Sequence, residues 1–256
     1  MVFSGAVAQA TQPGWDGSFE HLRFDIRWLF VSAGSSIIQA EPNGAKEATF
    51  LMQACTNPTV DFFHRVRDNI LVKILRDEDQ YRSKNYRYTQ SEGGYKRNLE
   101  IKFLPDNKIT LTDFILNETK NYTTPEPALD IMSVFVKSRS LPLEVGKDYK
   151  IPVFDAGKYY RLVVKSLRKE SIDTIFGKET PTIVIRPMLQ SEGIFQRKGE
   201  VTIWLTDNEK RIPVRMETKI TIGKIVSNLK GISHRPITLP SGQLLCETPF
   251  LSPPVQ

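Results

Sequence analysis

Apolar and polar residues alternate one for one along much of this chain. The alternation is most regular over residues 199 to 231, GEVTIWLTDNEKRIPVRMETKITIGKIVSNLKG. Val201, Ile203 and Leu205 share one face, Thr202, Trp204 and Thr206 the other, and Asp207-Asn208-Glu209-Lys210 makes a turn. The return strand puts Val214, Met216, Ile220 and Ile222 on one side and Arg215, Glu217, Lys219 and Thr221 on the other. A strand has period two, so this is a hairpin with one buried and one wet face. Pro213 lacks a ladder donor and predicts a bulge or edge near the start of the return strand. Gly223 then permits a bend.

The same period recurs in RFDIRWLF (residues 23 to 30), where Phe24, Ile26, Trp28 and Phe30 fall on one face. It recurs in ATFLMQA (48 to 54) after an Asn43-Gly44 turn, and in PTIVIRPML (181 to 189). LEIKFL and KITLTDFIL flank Pro105-Asp106-Asn107, and DYKIPVF and KYYRLVVKSLRKE flank Asp155-Ala156-Gly157, two further hairpins by their turn chemistry. One segment reads clearly as a helix. In residues 126 to 141, EPALDIMSVFVKSRSL, Leu129, Met132, Phe135 and Val136 form an apolar stripe and Lys137 and Arg139 suit the last turn. Residues 58 to 68 read as a short helix or a strand, with the helix favoured. Many short hairpin-linked strands with one or two short helices predict a mostly β protein built as a large curved antiparallel sheet or partly open barrel.

The expected division is a leader over residues 1 to 19, a single β-rich domain over 20 to 235, and an extended or disordered Pro-rich tail over 236 to 256. The opening residues MVFSGAVAQA are small and uncharged and end in Ala8-Gln9-Ala10, the spacing a signal peptidase accepts. No basic n-region precedes them and the apolar segment is short, so the expectation is a truncated secretory signal and a periplasmic or otherwise exported location. At 256 residues the chain can bury a sizeable core without a metal or a set of disulfides. Its two cysteines, Cys55 and Cys246, fit no metal-ligand spacing; in an oxidising compartment they either bridge or stay as two thiols.

A net charge of +6 is mildly basic, but the charges interleave, as in RDEDQYRSK (76 to 84), so a solvated surface is expected and no nucleic acid. No apolar run reaches the ~20 residues of a membrane-spanning helix. His21, His64 and His234 lie in different regions, so no metal and no cofactor is expected. No G-x-S-x-G elbow or G-x-G-x-x-G loop occurs, and FGKET (176 to 180) reads as a turn between strands. Asp77, Glu78 and Asp79 read as a solvated turn. Asn117 and Asn121 head glycosylation sequons. Trp28, Tyr160 and Trp204 fall on strands and are the candidates for lining an apolar ligand cavity, though strands also favour such residues as plain core.

The order of these motifs resembles the domain-of-unknown-function 3108 family of bacterial envelope proteins. The first strand appears as Glu20, Leu22, Phe24, Ile26 and Trp28, with Gly34 following. A central pattern appears as Asp130, Ser133, Phe135 and Arg139, a G-K-x-Y-x-I-P-V-F-D-x-G-K segment at residues 146 to 158, and a closing segment at 199 to 214 that reaches on to Gly223. The resemblance covers roughly residues 20 to 231. It implies a secretory signal and a curved antiparallel sheet, and it brings no catalytic residues with it. Asn208 stands where a second Asp is common in the family, which argues against a strict catalytic or metal role for that turn.

Three functional readings follow. In the first, a non-catalytic exported envelope protein binds a lipid-like ligand or a partner protein on the concave face of its sheet. In the second, the interior is filled and the chain is a structural or assembly factor. In the third, an enzyme on envelope glycan or lipid uses Asp130, Arg139, Asp207 or Arg211 in a cleft. Those four residues are read as structural clamps rather than a functional set.

Overall fold

The computed structural model describes residues 14–77, 80–189, 200–220, 223–236 and 246. The strands are β1 (Glu20–Trp28), β2 (Val31–Pro42), β3 (Glu47–Thr56), β4 (Val66–Asp77), β5 (Gln80–Glu92), β6 (Tyr95–Phe103), β7 (Lys108–Asp113) and β8 (Glu118–Thr123). They continue with β9 (Asp148–Asp155), β10 (Lys158–Thr174), β11 (Gly177–Leu189), β12 (Val201–Thr206), β13 (Pro213–Lys219) and β14 (Lys224–Ser233). The helices are α1 (Pro58–Asp61) and α2 (Ile131–Ser140).

All fourteen strands form one antiparallel sheet in the order β8-β7-β6-β5-β4-β3-β2-β1-β14-β13-β12-β11-β10-β9. Strand twist rolls such a sheet, and bulges sharpen the roll. Register shifts at Arg23/Phe24, Lys73/Ile74, Ser166/Arg168 and Trp204/Leu205 supply them. The last lies opposite Pro213, as that residue's missing donor predicts. The sheet does not close. Its edges β8 and β9 are joined by the segment after Thr123, in which the Leu129 N–H donates to the Pro152 carbonyl at 2.9 Å and the Phe154 N–H to the Leu129 carbonyl at 2.9 Å. The Tyr122 ring meets Phe154 across this seam at 5.0 Å. A bridge and a ring contact thus cover edges that would otherwise expose unpaired backbone.

The chain passes from one edge of the sheet to the other through α2, and none of that helix's residues is exposed. A helix buried on every side needs apolar contacts all round. Met132, Val134 and Val136 join Leu22, Phe24, Phe50, Ile74, Ile101, Val153 and Leu205 in one core. The expected helix over 126 to 141 is shorter, because Asp130 is the N-cap and residues 126 to 129 run extended along the seam. Residues 58 to 68 divide. Asn57 caps α1 and Pro58 begins it, after which the alternation of VRDNILVKILRD takes over as β4.

Three expectations are corrected here. Phe30 is not on the buried face of the first strand: Leu29 has φ 53, the chain turns, and Phe30 is 91% exposed. The core also begins before residue 20. Trp15 is 3% exposed, packs edge-on against Phe50 at 5.0 Å, and its carbonyl accepts from Arg76 Nη1 at 2.8 Å. The run 76 to 84 is more than solvated surface, since Tyr81 and Ser83 point inward from β5. Asp77 is exposed and pairs with Lys46 at 2.8 Å; Glu78 and Asp79 lie outside the described residues, as do the Ala8-Gln9-Ala10 site and all of the tail beyond residue 236 except Cys246.

Candidate functional site

The polar groups of the interior gather at the two ends of α2. At its start, Asp130 is fully buried and takes the N-cap position, where its Oδ1 accepts the Ser133 N–H at 2.8 Å. Ser133 Oγ and Ser83 Oγ each donate to Oδ2 at 2.5 Å, and Ser83 Oγ accepts the Asp130 N–H at 2.8 Å. Ser83 belongs to β5, so this cluster ties the helix to the sheet. Burial pushes the Asp130 carboxyl above its ordinary value, against the lowering pull of its hydroxyl and N–H donors. Its partners are hydroxyls and backbone N–H groups, with no imidazole and no cation among them. The hydroxyls spend their protons on the carboxylate, an arrangement that caps a helix and activates no nucleophile.

At the other end, Arg139 is 1% exposed. Its Nη1 and Nη2 donate to the two carboxylate oxygens of Glu20 at 2.7 and 2.9 Å. Nε donates to the Arg211 carbonyl and Nη2 also to the Lys210 carbonyl, both at 3.1 Å. Four hydrogen bonds use most of the fork's five donors, leaving little for a substrate. Asp130 and Arg139 do not meet. They are nine positions apart on the helix, about 14 Å at 1.5 Å per residue.

Asp207 and Arg211 support the same end from the β12–β13 connection. Arg211 Nη1 lies 2.9 Å from Asp207 Oδ1, and Lys169 Nζ lies 2.7 Å from Oδ2. Burial works against the Asp207 carboxylate, but Lys169 and Arg211 outweigh it and hold the group below its ordinary value. Arg211 has φ 47, and this backbone turn is what aims its carbonyl, with that of Lys210, at Arg139. The four clamp candidates therefore form two separate anchors. No catalytic cleft unites them.

The three aromatic candidates are likewise not brought together. Trp28 ends β1 at the rim, 38% exposed. Tyr160 points into the core from β10, and burial raises its phenol. Trp204 lies on the other face of β12, roofed by Arg168 and Arg215 at 5.9 and 5.3 Å from its ring, and donates from Nε1 to Glu170 at 2.5 Å. An indole covered by two guanidiniums gains cation–π stabilisation and little solvent access. Cys55 and Cys246 are bridged, with Cα atoms 5.7 Å apart. No group of three potential metal ligands occurs among the described residues. Two recesses are open to solvent: one of about 170 Å³ beside Leu99, Leu111 and Tyr122, and one of about 310 Å³ beside Phe176, Ile212, Ile232 and His234.

The family model for proteins of unknown function named DUF3108 matches residues 23–230. The chain belongs to the DUF3108 family. Among curated proteins no sequence match is found. Among solved structures, this DUF3108 chain is similar to a crystal structure described as a beta-barrel-like protein of domain of unknown function DUF1849 from Brucella abortus. The two share 12% identity over 84% of this chain and 97% of the other, with a TM-score of 0.56. At that identity the likeness concerns fold alone.

Two partners in the anchors were not singled out from sequence. Glu20 opens the first strand's motif, but nothing local says that its carboxylate turns inward. Ser83 sits in a polar run whose inward residues are Tyr and Ser rather than aliphatic, so no hydrophobic period marks it. Asp130 at the start of the helix is a residue type that favours the N-cap, and its Oδ1 accepts the Ser133 N–H three positions on.

Proposed function

We propose that this DUF3108 protein is a non-catalytic exported envelope protein that serves as a structural or assembly scaffold and works through its outer surface. The observation that carries this reading is α2: it lies buried in the hollow of the sheet, held by Ser83 at one end and by Glu20 and two carbonyls at the other. The concave face that would take a lipid-like ligand is packed with the chain's own side chains. Exchanging them for a ligand would break a buried ion pair. Both anchors spend most of their hydrogen-bonding capacity on protein partners, which weighs against an enzyme on glycan or lipid. The Cys55–Cys246 bridge supports export, because such bridges persist in oxidising compartments.

Native mass spectrometry of the protein purified gently from its host's envelope tests this. The expected mass is that of the bare chain with its disulfide intact. A lipid that co-purifies reproducibly would overturn the filled-interior reading, and recovery from the cytoplasm with both thiols reduced would overturn export.

A further inference from the structure

Each antiparallel pairing reverses the chain, so the topology fixes which connections share an end of the rolled sheet. The connections after β1, β3, β5, β7 and β13 all lie at one end. Neighbouring tips touch: Leu29 lies against Gly223, where an added Cβ would stand 2.6 Å from its Cδ2, and a Cβ on Gly93 would stand 3.3 Å from His64 Nδ1. Among the described residues, this end carries most of the large exposed apolar side chains. Phe30, Phe62 and Phe63 are 91, 86 and 82% exposed, and Ile115 and Leu116 stand on the β7–β8 tip. At the opposite end the large exposed apolar side chains among the described residues are Leu104, Val145, Ile175 and Phe176, of which Phe176 is less than half exposed.

Charge accompanies the aromatics. Arg27, whose Nη2 donates to the Phe30 carbonyl at 3.2 Å, is exposed, as are Arg65 and Lys96. Of the acids at this end, Asp61 is taken up by Arg67 at 2.6 Å and Glu118 by Lys120 at 2.8 Å, and Glu92 stands at the β5–β6 tip beside Tyr95. Exposed phenylalanines gathered at one end and rimmed by charged side chains mark an interaction surface. A protein interface gathers its aromatic anchors into one packed centre ringed by polar groups. Here Phe30 stands alone on the β1–β2 tip, while Phe62 and Phe63 pack edge-on against each other at 5.1 Å on the β3–β4 connection, and cations flank both tips. Aromatics divided between two tips, each with cations beside it, fit the headgroup boundary of a bilayer, which accepts aromatic rings and, when anionic, attracts Arg and Lys.

We propose that this end of the protein docks on an anionic membrane surface, with Phe30, Phe62 and Phe63 seated at the headgroup level and Arg27, Arg65 and Lys96 on lipid phosphates. The proposal does not depend on what fills the interior. The test is co-sedimentation of the full chain with vesicles of phosphatidylglycerol and phosphatidylethanolamine, against vesicles of phosphatidylcholine alone. The expected result is binding to the anionic vesicles that weakens with salt. It should fall about tenfold or more in a Phe30→Ser, Phe62→Ser, Phe63→Ser variant, since binding scales with the apolar area inserted. Arg65→Glu with Lys96→Glu keeps the phenylalanines and should lose binding as well, while Phe176→Ser at the other end should bind as the parent does. Failure of the parent to bind anionic vesicles, or undiminished binding by the triple variant, would overturn the proposal. So would sedimentation velocity showing that the three phenylalanines hold a dimer of this chain while vesicle binding is unchanged.

Discussion

Arg139 and Glu20, 119 residues apart in the chain, meet as a bidentate ion pair at 2.7 and 2.9 Å beneath the end of α2. The pair joins the central helix to the first strand, and the Lys210 and Arg211 carbonyls join both to the β12–β13 connection. A helix crossing the hollow of an open sheet has no covalent reason to stay there. Its position is fixed by what its two ends hold.

Arg139→Ala is expected to destabilise the protein by about 3–5 kcal/mol, because it leaves the Glu20 carboxylate buried without a counter-charge. Arg139→Met combined with Glu20→Leu removes both charges and should cost less than the single change. Urea unfolding of the three proteins gives the comparison. If the single variant were as stable as the parent, the clamp would be refuted.

Asp130 gives a pH signature. Its folded-state value is raised above the ordinary 3.8, so the folded protein holds the proton more tightly than the unfolded chain. Its contribution to stability is therefore greatest at low pH and declines as pH rises from 3.8 through the folded value. Asp130→Asn abolishes this decline. The stability gap between parent and variant should narrow as pH rises above 3.8. Carboxylates held low by cationic partners, Glu47 by Lys84 and Asp61 by Arg67 among them, lose stability in the opposite direction, on acidification. They do so equally in both proteins and cancel in the difference. A gap that widens with pH would mean that the Asp130 carboxyl is not raised.

The Cys55–Cys246 bridge closes a loop of 191 residues, and Ser35 Oγ donates to the Cys246 carbonyl beside it. Removing so long a closure with Cys246→Ser should lower stability by about 2–5 kcal/mol. Thermal unfolding of the parent with and without a reductant should reproduce that loss, whereas the variant should be indifferent to the reductant.

Gly34 on β2 faces the Cys55 carbonyl oxygen so closely that any Cβ would overlap backbone. Backbone cannot swing aside as a side chain can, so Gly34→Ala should destabilise by about 1–3 kcal/mol or more through forced strand displacement. Gly44→Ala is a contrasting case: nothing lies within 4 Å of the added methyl, and only its φ of +85° resists the change. Thermal melts of the two should rank Gly34→Ala as the more damaging, and the reverse order would remove the crowding argument.

Much of the sheet was legible because its cues are local. The Asp106-Asn107 and Ala156-Gly157 turns take positive φ at both residues, as tight hairpins require. Strands with aliphatic inner faces, such as β6, β9 and β12, announced themselves by period. β5 did not: Tyr81 and Ser83 face inward, the register then slips at Lys73/Ile74, and Tyr86, Tyr88 and Gln90 face inward on the other parity. One bulge in a polar strand is enough to hide an alternation.

The sequence by itself determined the β class, most hairpins and a helix near residue 130, because periodicity and turn conformations depend on near neighbours. Only the tertiary structure decided that the helix lies inside the sheet, that Arg139 answers Glu20 rather than Asp130, and that Phe30, Phe62 and Phe63 share one end. Those facts depend on how fourteen twisted strands roll up and which distant segments they bring face to face, and no local pattern encodes a contact between residues more than a hundred positions apart.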